Sequence, residues 1–405
     1  MRVSTAQFYF QNSQQLTNKQ SSVNDQVNYL SSGKRVLTAK DDAVSYGTLS
    51  GYKDELTNIE KYQRNITQAE NRNTLQETSF ENAEAIMQEL KQNLIRANNG
   101  TLSDSDLKSL AAQVQNGQSQ LLNIANSKDE TGGYIFAGYN TDVQPFALQP
   151  DNSVIYQGDS GIRELQIAKN VTVATNQPGN LAFESVPNAL GDFQPVYNTS
   201  TSEISINLAK ITDPSSNDVT PGAGFPPPYN ISFTSPTDLT ITDADGDTFF
   251  STNAYVPGQV ISLTNGIELQ ISGNPLPGDS VDLVPQESIS VFETFKKAID
   301  WMKSGASSTN SAQRQIDYND ILDQVDNALN HIISRRTEAG VRMQLIDNQE
   351  SNHLDAELYL EKGRSNVEDL DFAKAVANFE QSKVALQAAQ QTFIQVKDLN
   401  LFNFI

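Results

Sequence analysis

Apolar residues recur every seven positions at both ends of this chain and lose that period in its middle. Near the start, Tyr9, Leu16, Val23 and Leu30 form a heptad stripe, with Val27 at the offset seam position. The stripe predicts a helix that ends at Ser31-Ser32-Gly33. A second helix is licensed by Asp41-Asp42, whose carboxylates can cap and complement a positive helix start. From there Tyr52, Ile59, Ile66, Asn73, Phe80, Met87 and Leu94 continue seven apart, reinforced by Leu49, Leu56, Leu90 and Ala97. A helix from about Ala43 to Ala97 would be roughly 80 Å long. Gly100 stops it, Ser103 with Asp106 has the form of a capping box, and Leu107, Leu110, Val114, Leu121 and Ile124 mark a third helix.

The other end mirrors this. Leu322, Val325, Leu329, Ile332, Ala339, Met343, Ile346 and Leu360 alternate by three and four, interrupted at seam positions by Arg336, Glu350, His353 and Glu357. Polar seam residues cost stability and fix register. After Gly363, Ser365 to Glu368 reads as a capping box before a last helix carrying Phe372, Phe379, Leu386 and Phe393, again seven apart. The seam residues at the two termini make a natural pair.

Between the ends, Val171-Thr-Val, Ile204-Ser-Ile, Leu239-Thr-Ile, Val260-Ile-Ser-Leu and Leu269-Gln-Ile alternate or are β-branched, and Gly, Pro, Asn and Asp punctuate them. All 15 prolines lie between Pro145 and Pro285. Each would cost a helix interior about 3 kcal/mol, so the ends are free to be helix and the middle only strand and turn. A loose Pro-rich stretch is expected at Pro221 to Pro228, and helix resumes at about Ser288 with Phe292, Phe295, Ile299 and Met302 on one face. The predicted fold is therefore α+β: a long α-helical coiled-coil body built from both termini with an inserted antiparallel β domain. Its expected divisions are a terminal helical pair (1–32 and 369–405), a long-helix coiled-coil body (33–143 and 286–368) and the inserted outer β domain (144–285).

Charge divides the same way. Residues 141–288 hold 3 Lys+Arg against 17 Asp+Glu, which is 14 of the chain's 21 net negative charges. A pI near 4.4 argues against nucleic acid and against an anionic membrane, both of which need a basic face. No apolar run is long enough to span a bilayer, and Met1 to Phe10 has no apolar segment of signal-peptide length, so membrane insertion and a cleaved secretory signal are not expected. The absence of cysteine removes disulfides, thiolate metal sites and thiol nucleophiles together.

What remains offers little chemistry. His331 and His353 lie 22 positions apart, roughly 33 Å along a continuous helix, and cannot share a metal. His353 at a seam position reads as a register residue. Asp243-Ala-Asp-Gly-Asp247 has the spaced carboxylates of a calcium loop, but its glycine stands fourth and Tyr255 falls where such a loop needs a glutamate, so a hairpin turn between Leu239–Ile241 and Thr248–Phe250 explains it better. Asp41-Asp42, adjacent at a helix start and without a nucleophile or oxyanion device, reads as a cap and not as an acid/base pair. No catalytic residue, cofactor or metal is expected.

Three segments resemble the flagellins and hook-filament junction proteins of the bacterial flagellum. Leu30-Ser-Ser-Gly-Lys-Arg-Val-Leu-Thr-Ala-Lys-Asp-Asp-Ala43 is similar to the turn between that family's first two helices, Asn99-Gly-Thr-Leu-Ser-Asp-Ser-Asp-Leu107 to its helix break, and Val367-Glu-Asp-Leu-Asp-Phe-Ala373 to the start of its last helix. Gly133-Tyr-Ile-Phe-Ala-Gly-Tyr139, Thr141-Asp-Val-Gln-Pro-Phe146, Ile271-Ser-Gly-Asn-Pro-Leu-Pro-Gly-Asp279 and the ending Leu399-Asn-Leu-Phe-Asn-Phe-Ile405 resemble the junction proteins more than flagellin itself. Where flagellins carry Leu-Gln-Arg-Val-Arg-Glu-Leu, this chain has Met87-Gln-Glu-Leu-Lys-Gln-Asn93, so recognition of that arginine by innate receptors is not carried over.

The resemblance implies a secreted structural subunit at the hook-filament junction. Its implied partners are hook-associated protein 1 below, flagellin above, copies of itself in a ring-like layer, and a flagellar export chaperone. A flagellin-like filament subunit is the alternative, and an extracellular adhesin or enzyme with its activity in the β domain is a further one. The resemblance also implies that the terminal helices form an inner layer, with Tyr9, Leu16, Val23, Leu30, Phe372, Phe379, Leu386 and Phe393 as its assembly interface. At about 1.5 to 3 kcal/mol per buried side chain, against about 1 to 2 kcal/mol per residue of backbone entropy, this thin seam is too weak to order both ends alone. Residues before about Ser32 and after about Asp369 are expected to be disordered in the free subunit and to fold only when neighbouring subunits cover their outer faces.

Overall fold

The structure, a computed structural model, describes residues 2–198, 203–220, 224–305 and 311–398. It separates into two units, one of residues 1–65 and 348–405, the other of residues 66–347.

The first unit is all helix. α1 (Arg2–Ser32) lies against α6 (Phe372–Asp398). A bridge between Lys34 and Asp369 brings the end of α1 to the start of α6, so the two run antiparallel. The unit also holds the first part of α2 (Ala43–Ala97) and the last part of α5 (Ser311–Glu368), paired through Lys53 with Glu368 and through Tyr62, whose ring stacks on His353 at 5.6 Å. α2 has the bounds its heptads predict. α5 does not end at Gly363 but runs on to Glu368: the Ser365 hydroxyl donates to Asp369 just past the helix end, and Asp371 caps α6 by accepting from the Lys374 N–H at 3.1 Å. Gly363 is there for space, since a Cβ at that position would lie 2.9 Å from the Tyr52 ring.

The second unit combines helices and sheets. α3 (Asp104–Ala125) starts at the capping box expected from Ser103 and Asp106, and α4 (Val291–Lys303) is capped by Ser290, whose hydroxyl accepts from the Glu293 N–H. These helices pack on α2 and α5 around Phe80, Met87, Leu90, Leu121, Phe292, Phe295, Val325 and Ile332. The predicted polar seam position Arg336 pins the register of α5 on α2: its guanidinium reaches Glu77 at 2.7 Å, Glu84 at 3.1 Å and Glu81 at 3.4 Å.

Between α3 and α4 the described residues form fourteen strands in two separate settings. β1 (Phe146–Leu148) with β2 (Val154–Tyr156), and β3 (Glu164–Ala168) with β4 (Val171–Ala174), are small hairpins on the helices. Asn73 and Gln76 of α2 donate to the carbonyls of Ala174 and Thr175, which explains why these seam positions are amides. A π-helical turn, Asn180–Glu184, inserts Phe183 among Phe80, Phe136, Phe146 and Phe292, with ring centroids 5.1 to 6.1 Å apart. Segment 144–187 therefore shares the helical core.

The second setting is a sandwich with its own core, from Phe193 to Leu283. One sheet has the order β10-β9-β8-β13-β6, made of β6 (Phe193–Tyr197), β8 (Tyr229–Ser235), β9 (Asp238–Thr242), β10 (Thr248–Thr252) and β13 (Ser280–Pro285); the other has the order β11-β12-β7, made of β7 (Ser205–Ile211), β11 (Val260–Ser262) and β12 (Ile267–Ser272). The strand pairings within them are antiparallel. Both chain connections leave through β5 (Val186–Pro187) and β14 (Ser288–Ile289), where Pro187 stands opposite Ser288. Part of the Pro-rich stretch, residues 221–223, lies outside the described residues.

Candidate assembly interface

In the first unit, the heptad stripe of α1 turns Tyr9, Leu16, Val23 and Leu30 into positions that are half-buried, and α6 does the same for Phe379, Leu386 and Phe393. None of these seven is fully buried. Phe372 stands apart from these seven: it is 56% exposed, and the buried residue of that turn is Ala375, three positions on. The reason is geometric. Phe372 opens α6 beside Gly33, with its ring against the turn, and the seam proper starts at the offset heptad position. The seam then runs from buried Ala375 through half-buried Phe379, Ser382, Leu386, Ala389 and Phe393, against half-buried Tyr9, Asn12, Leu16, Val23, Gln26 and Leu30. Large apolar layers thus alternate with small or polar ones, which makes the seam thin. Ala375 was missed because alanine carries little weight in an apolar stripe; its three-residue offset from Phe372 was the available signal.

The outward faces are mostly polar but carry several apolar side chains. Phe10, Val27, Val376, Val384 and Ile394 are exposed, which leaves hydrophobic surface of the kind that marks a contact with another molecule. The ending Leu399–Ile405 lies outside the described residues.

The turn that joins α1 to α2 is held by charge. The Glu368 side chain is 7% exposed and takes Lys34 Nζ at 2.6 Å, Lys53 Nζ at 3.0 Å and Arg364 Nε at 3.8 Å. Burial alone would raise its pKa; Lys34 and Lys53 outweigh burial and hold the carboxylate below its ordinary value. Backbone bonds close the joint, from the Arg35 N–H to the Glu368 carbonyl at 2.7 Å and from the Leu370 N–H to the Gly33 carbonyl at 3.0 Å. Gly33 has φ +67°, a conformation that glycine adopts without strain.

The two adjacent aspartates divide the work expected of them. Asp42 caps α2 by accepting from the Ser45 N–H at 3.0 Å. Asp41 instead ties the turn, accepting from the Tyr29 hydroxyl at 2.7 Å and from the Leu37 and Thr38 N–H groups. The Tyr29 bond lowers the Asp41 pKa and raises that of Tyr29 to about 12. Both carboxylates are thereby committed to backbone and turn.

The remaining candidates fall in the second unit or on α5. Asp243 closes the β9–β10 hairpin, with one carboxylate oxygen accepting from the N–H groups of Asp245 and Asp247 and Gly246 at φ +88°. The turn reading accounts for those residues. His331 is buried with Nε2 3.0 Å from the Leu181 carbonyl, and burial lowers its pKa. In the segment Gly133–Tyr139, Ile135, Phe136 and Ala137 are buried, and Gly138 takes φ +81° where a Cβ would meet Asp159 at 2.2 Å. Asp159 accepts there from the N–H groups of Tyr139, Asn140 and Gly161. Among the described residues no three His, Cys, Asp or Glu side chains are grouped to hold a metal, and no helix is long and apolar enough to cross a membrane.

Comparison with known proteins places these features. The bacterial flagellin N-terminal helical region matches residues 3–141 and the bacterial flagellin C-terminal helical region matches residues 322–405. The chain is 31% identical over 186 residues to flagellar hook-associated protein 3 of Escherichia coli, a match covering 46% of this chain and 58% of that protein. It is 23% identical over 402 residues to flagellar hook-associated protein 3 of Salmonella typhimurium, covering 99% of each. The crystal structure of the flagellar junction protein FlgL from Legionella pneumophila is similar with a TM-score of 0.64 at 26% identity, over 79% of this chain and 100% of that one.

Proposed function

The chain belongs to the flagellin family, and we propose that it is a structural adaptor of the bacterial flagellum, joining the hook-proximal junction layer to the flagellin filament. The similarity to Salmonella typhimurium hook-associated protein 3 from end to end carries this reading, since it includes the insertion as well as both helical ends. In this role the subunit meets hook-associated protein 1 below, flagellin above and further copies of itself at its own level, after secretion with the help of an export chaperone. Its relatives are structural proteins, and its action is to present surfaces and not to catalyse.

The physical basis is the thin seam. An α1–α6 pair whose large side chains are half-buried, and whose outer faces carry Phe10, Val376 and Val384, gains stability when neighbours cover it. Contacts between unlike faces of successive subunits are heterologous, and such contacts generate rings and helical tubes. The sandwich region 188–287 carries 1 Lys against 12 Asp+Glu, a charge suited to a solvated exterior. The test is a strain lacking the protein: flagellin should be exported without assembling, leaving hooks bare. Normal long filaments in that strain would overturn the assignment.

A further inference from the structure

The second unit holds a cavity of about 400 Å³ where the sandwich meets the helices. β6 and the loop before it contribute Leu190 and Tyr197, α4 contributes Trp301, and α5 contributes Asp317, Asp320 and Ile321. Most of its walls are apolar, yet two carboxylates enter it from one helix. They belong to a run at three-residue spacing, Asp317, Asp320, Asp323 and Asp326, in which each carboxylate lies about 4.5 Å along α5 from the next and about 60° around it, so that only neighbours in the run face each other.

The run is unevenly compensated. Asp326 pairs with Lys91 at 2.6 Å, and Asp317 accepts from Gln313 at 2.9 Å and lies near Arg314. Asp320 faces Asp317 and Asp323 on its own helix, the Tyr197 hydroxyl from β6, and Lys297 and Asp300 from α4. Lys297 is already engaged: its Nζ donates to Gln194 Oε1 of β6 at 3.1 Å and lies 3.6 Å from Glu293. Asp300 is 3.8 Å from Lys296. Burial, then Asp317 and Asp323, push the Asp320 carboxyl up to about 7.

We infer that this cavity is a proton-sensitive joint, closed while Asp320 carries its proton and loosened when that proton is lost to solvent. The carboxylic acid fits an apolar cleft beside Asp317. The carboxylate repels Asp317, draws water between β6 and the helices, and competes with Gln194 for Lys297, which removes a strut between sandwich and body. The covalent hinge at β5 and β14 is unaffected, so the sandwich gains freedom without detaching.

Trp301, the single tryptophan of the chain, lines the cavity and reports on it directly. In the full-length protein, its emission and its quenching by acrylamide should rise together in one step as pH is raised from about 5.5 to about 8.5, with a midpoint near the Asp320 value. Asp320→Asn should abolish the step and hold the low-pH signal throughout. Asp317→Asn, which removes a like charge, should move the midpoint down. Glu184, which burial raises to about 7, and His331, which burial lowers, serve as controls: Glu184→Gln and His331→Gln should leave the step in place. A step that survives Asp320→Asn, a midpoint unmoved by Asp317→Asn, or loss of the step in either control overturns the proposal. So does an emission change without a change in quenching, because the joint would then titrate without opening.

Discussion

Removing residues 189–286 and closing the chain through an Asn-Gly turn from Asn188 to Glu287 should leave a folded helical body, whereas removing 144–285 should not. In the first variant the ends are already cross-strand partners, with the Asn188 N–H donating to the Glu287 carbonyl at 3.0 Å, so a two-residue turn spans them. What leaves is a sandwich whose core is its own. The longer deletion also takes Phe146 and Phe183, both fully buried, out of the core formed by Phe80, Phe136 and Phe292. At about 3 to 5 kcal/mol for each truncated phenylalanine, that is roughly 6 to 10 kcal/mol, with about 0.5 to 1.5 kcal/mol more for each lost ring pair. A domain of ordinary stability has about 5 to 15 kcal/mol in total. Far-ultraviolet circular dichroism and urea unfolding compare the two. The shorter deletion should keep its helical signal and a cooperative transition. An equally cooperative transition in the longer deletion would refute the assignment of 144–187 to the helical core.

Three further outcomes follow from particular side chains. Glu368→Gln should lower the stability of the first unit by about 1 to 2 kcal/mol, between the values for exposed and fully buried ion pairs because the half-exposed Lys34, Lys53 and Arg364 regain water; urea unfolding measures it. Because the folded pKa of Glu368 is lowered, its contribution is present above the ordinary glutamate value of 4.5 and fades as pH falls below it. Replacing Phe379 and Leu386 together by Asp should abolish assembly on the hook while leaving the unfolding transition of the second unit unchanged, and limited proteolysis of the wild-type monomer should trim both terminal helices first. Asp320→Asn should raise stability above pH 7 by a few kcal/mol, since the raised folded pKa, about 7 against 3.8, makes the native contribution of Asp320 full below about 4 and lost by about 7.

The helices were legible in the sequence to the residue in places, and the failures have identifiable causes. α2 begins and ends as its heptads require, and Ser103 with Asp106 forms the expected capping box. Ser365 and Glu368 have the same spacing but sit inside α5, because a capping pattern marks a start only where the preceding chain is not already helical. Gly363 looked like a stop and is a contact for Tyr52. Phe372 kept the heptad count but fell on the first turn, ahead of the seam. The outer limit of the insertion was hidden for a different reason: proline content shows that long helix cannot continue beyond Pro145, but not that Phe146 and Phe183 return to the helical core. The cavity at Asp320 depends on β6 meeting α5 across more than a hundred residues of chain, and no local pattern carries that.

The central claim is positional: the protein occupies a layer between hook and filament. Gold labelling of an epitope-tagged protein on isolated flagella, viewed by electron microscopy, tests it most directly. Label confined to one narrow band at the hook-filament junction is the expected result. Label distributed along the filament, or absent from flagella that carry normal filaments, would contradict it.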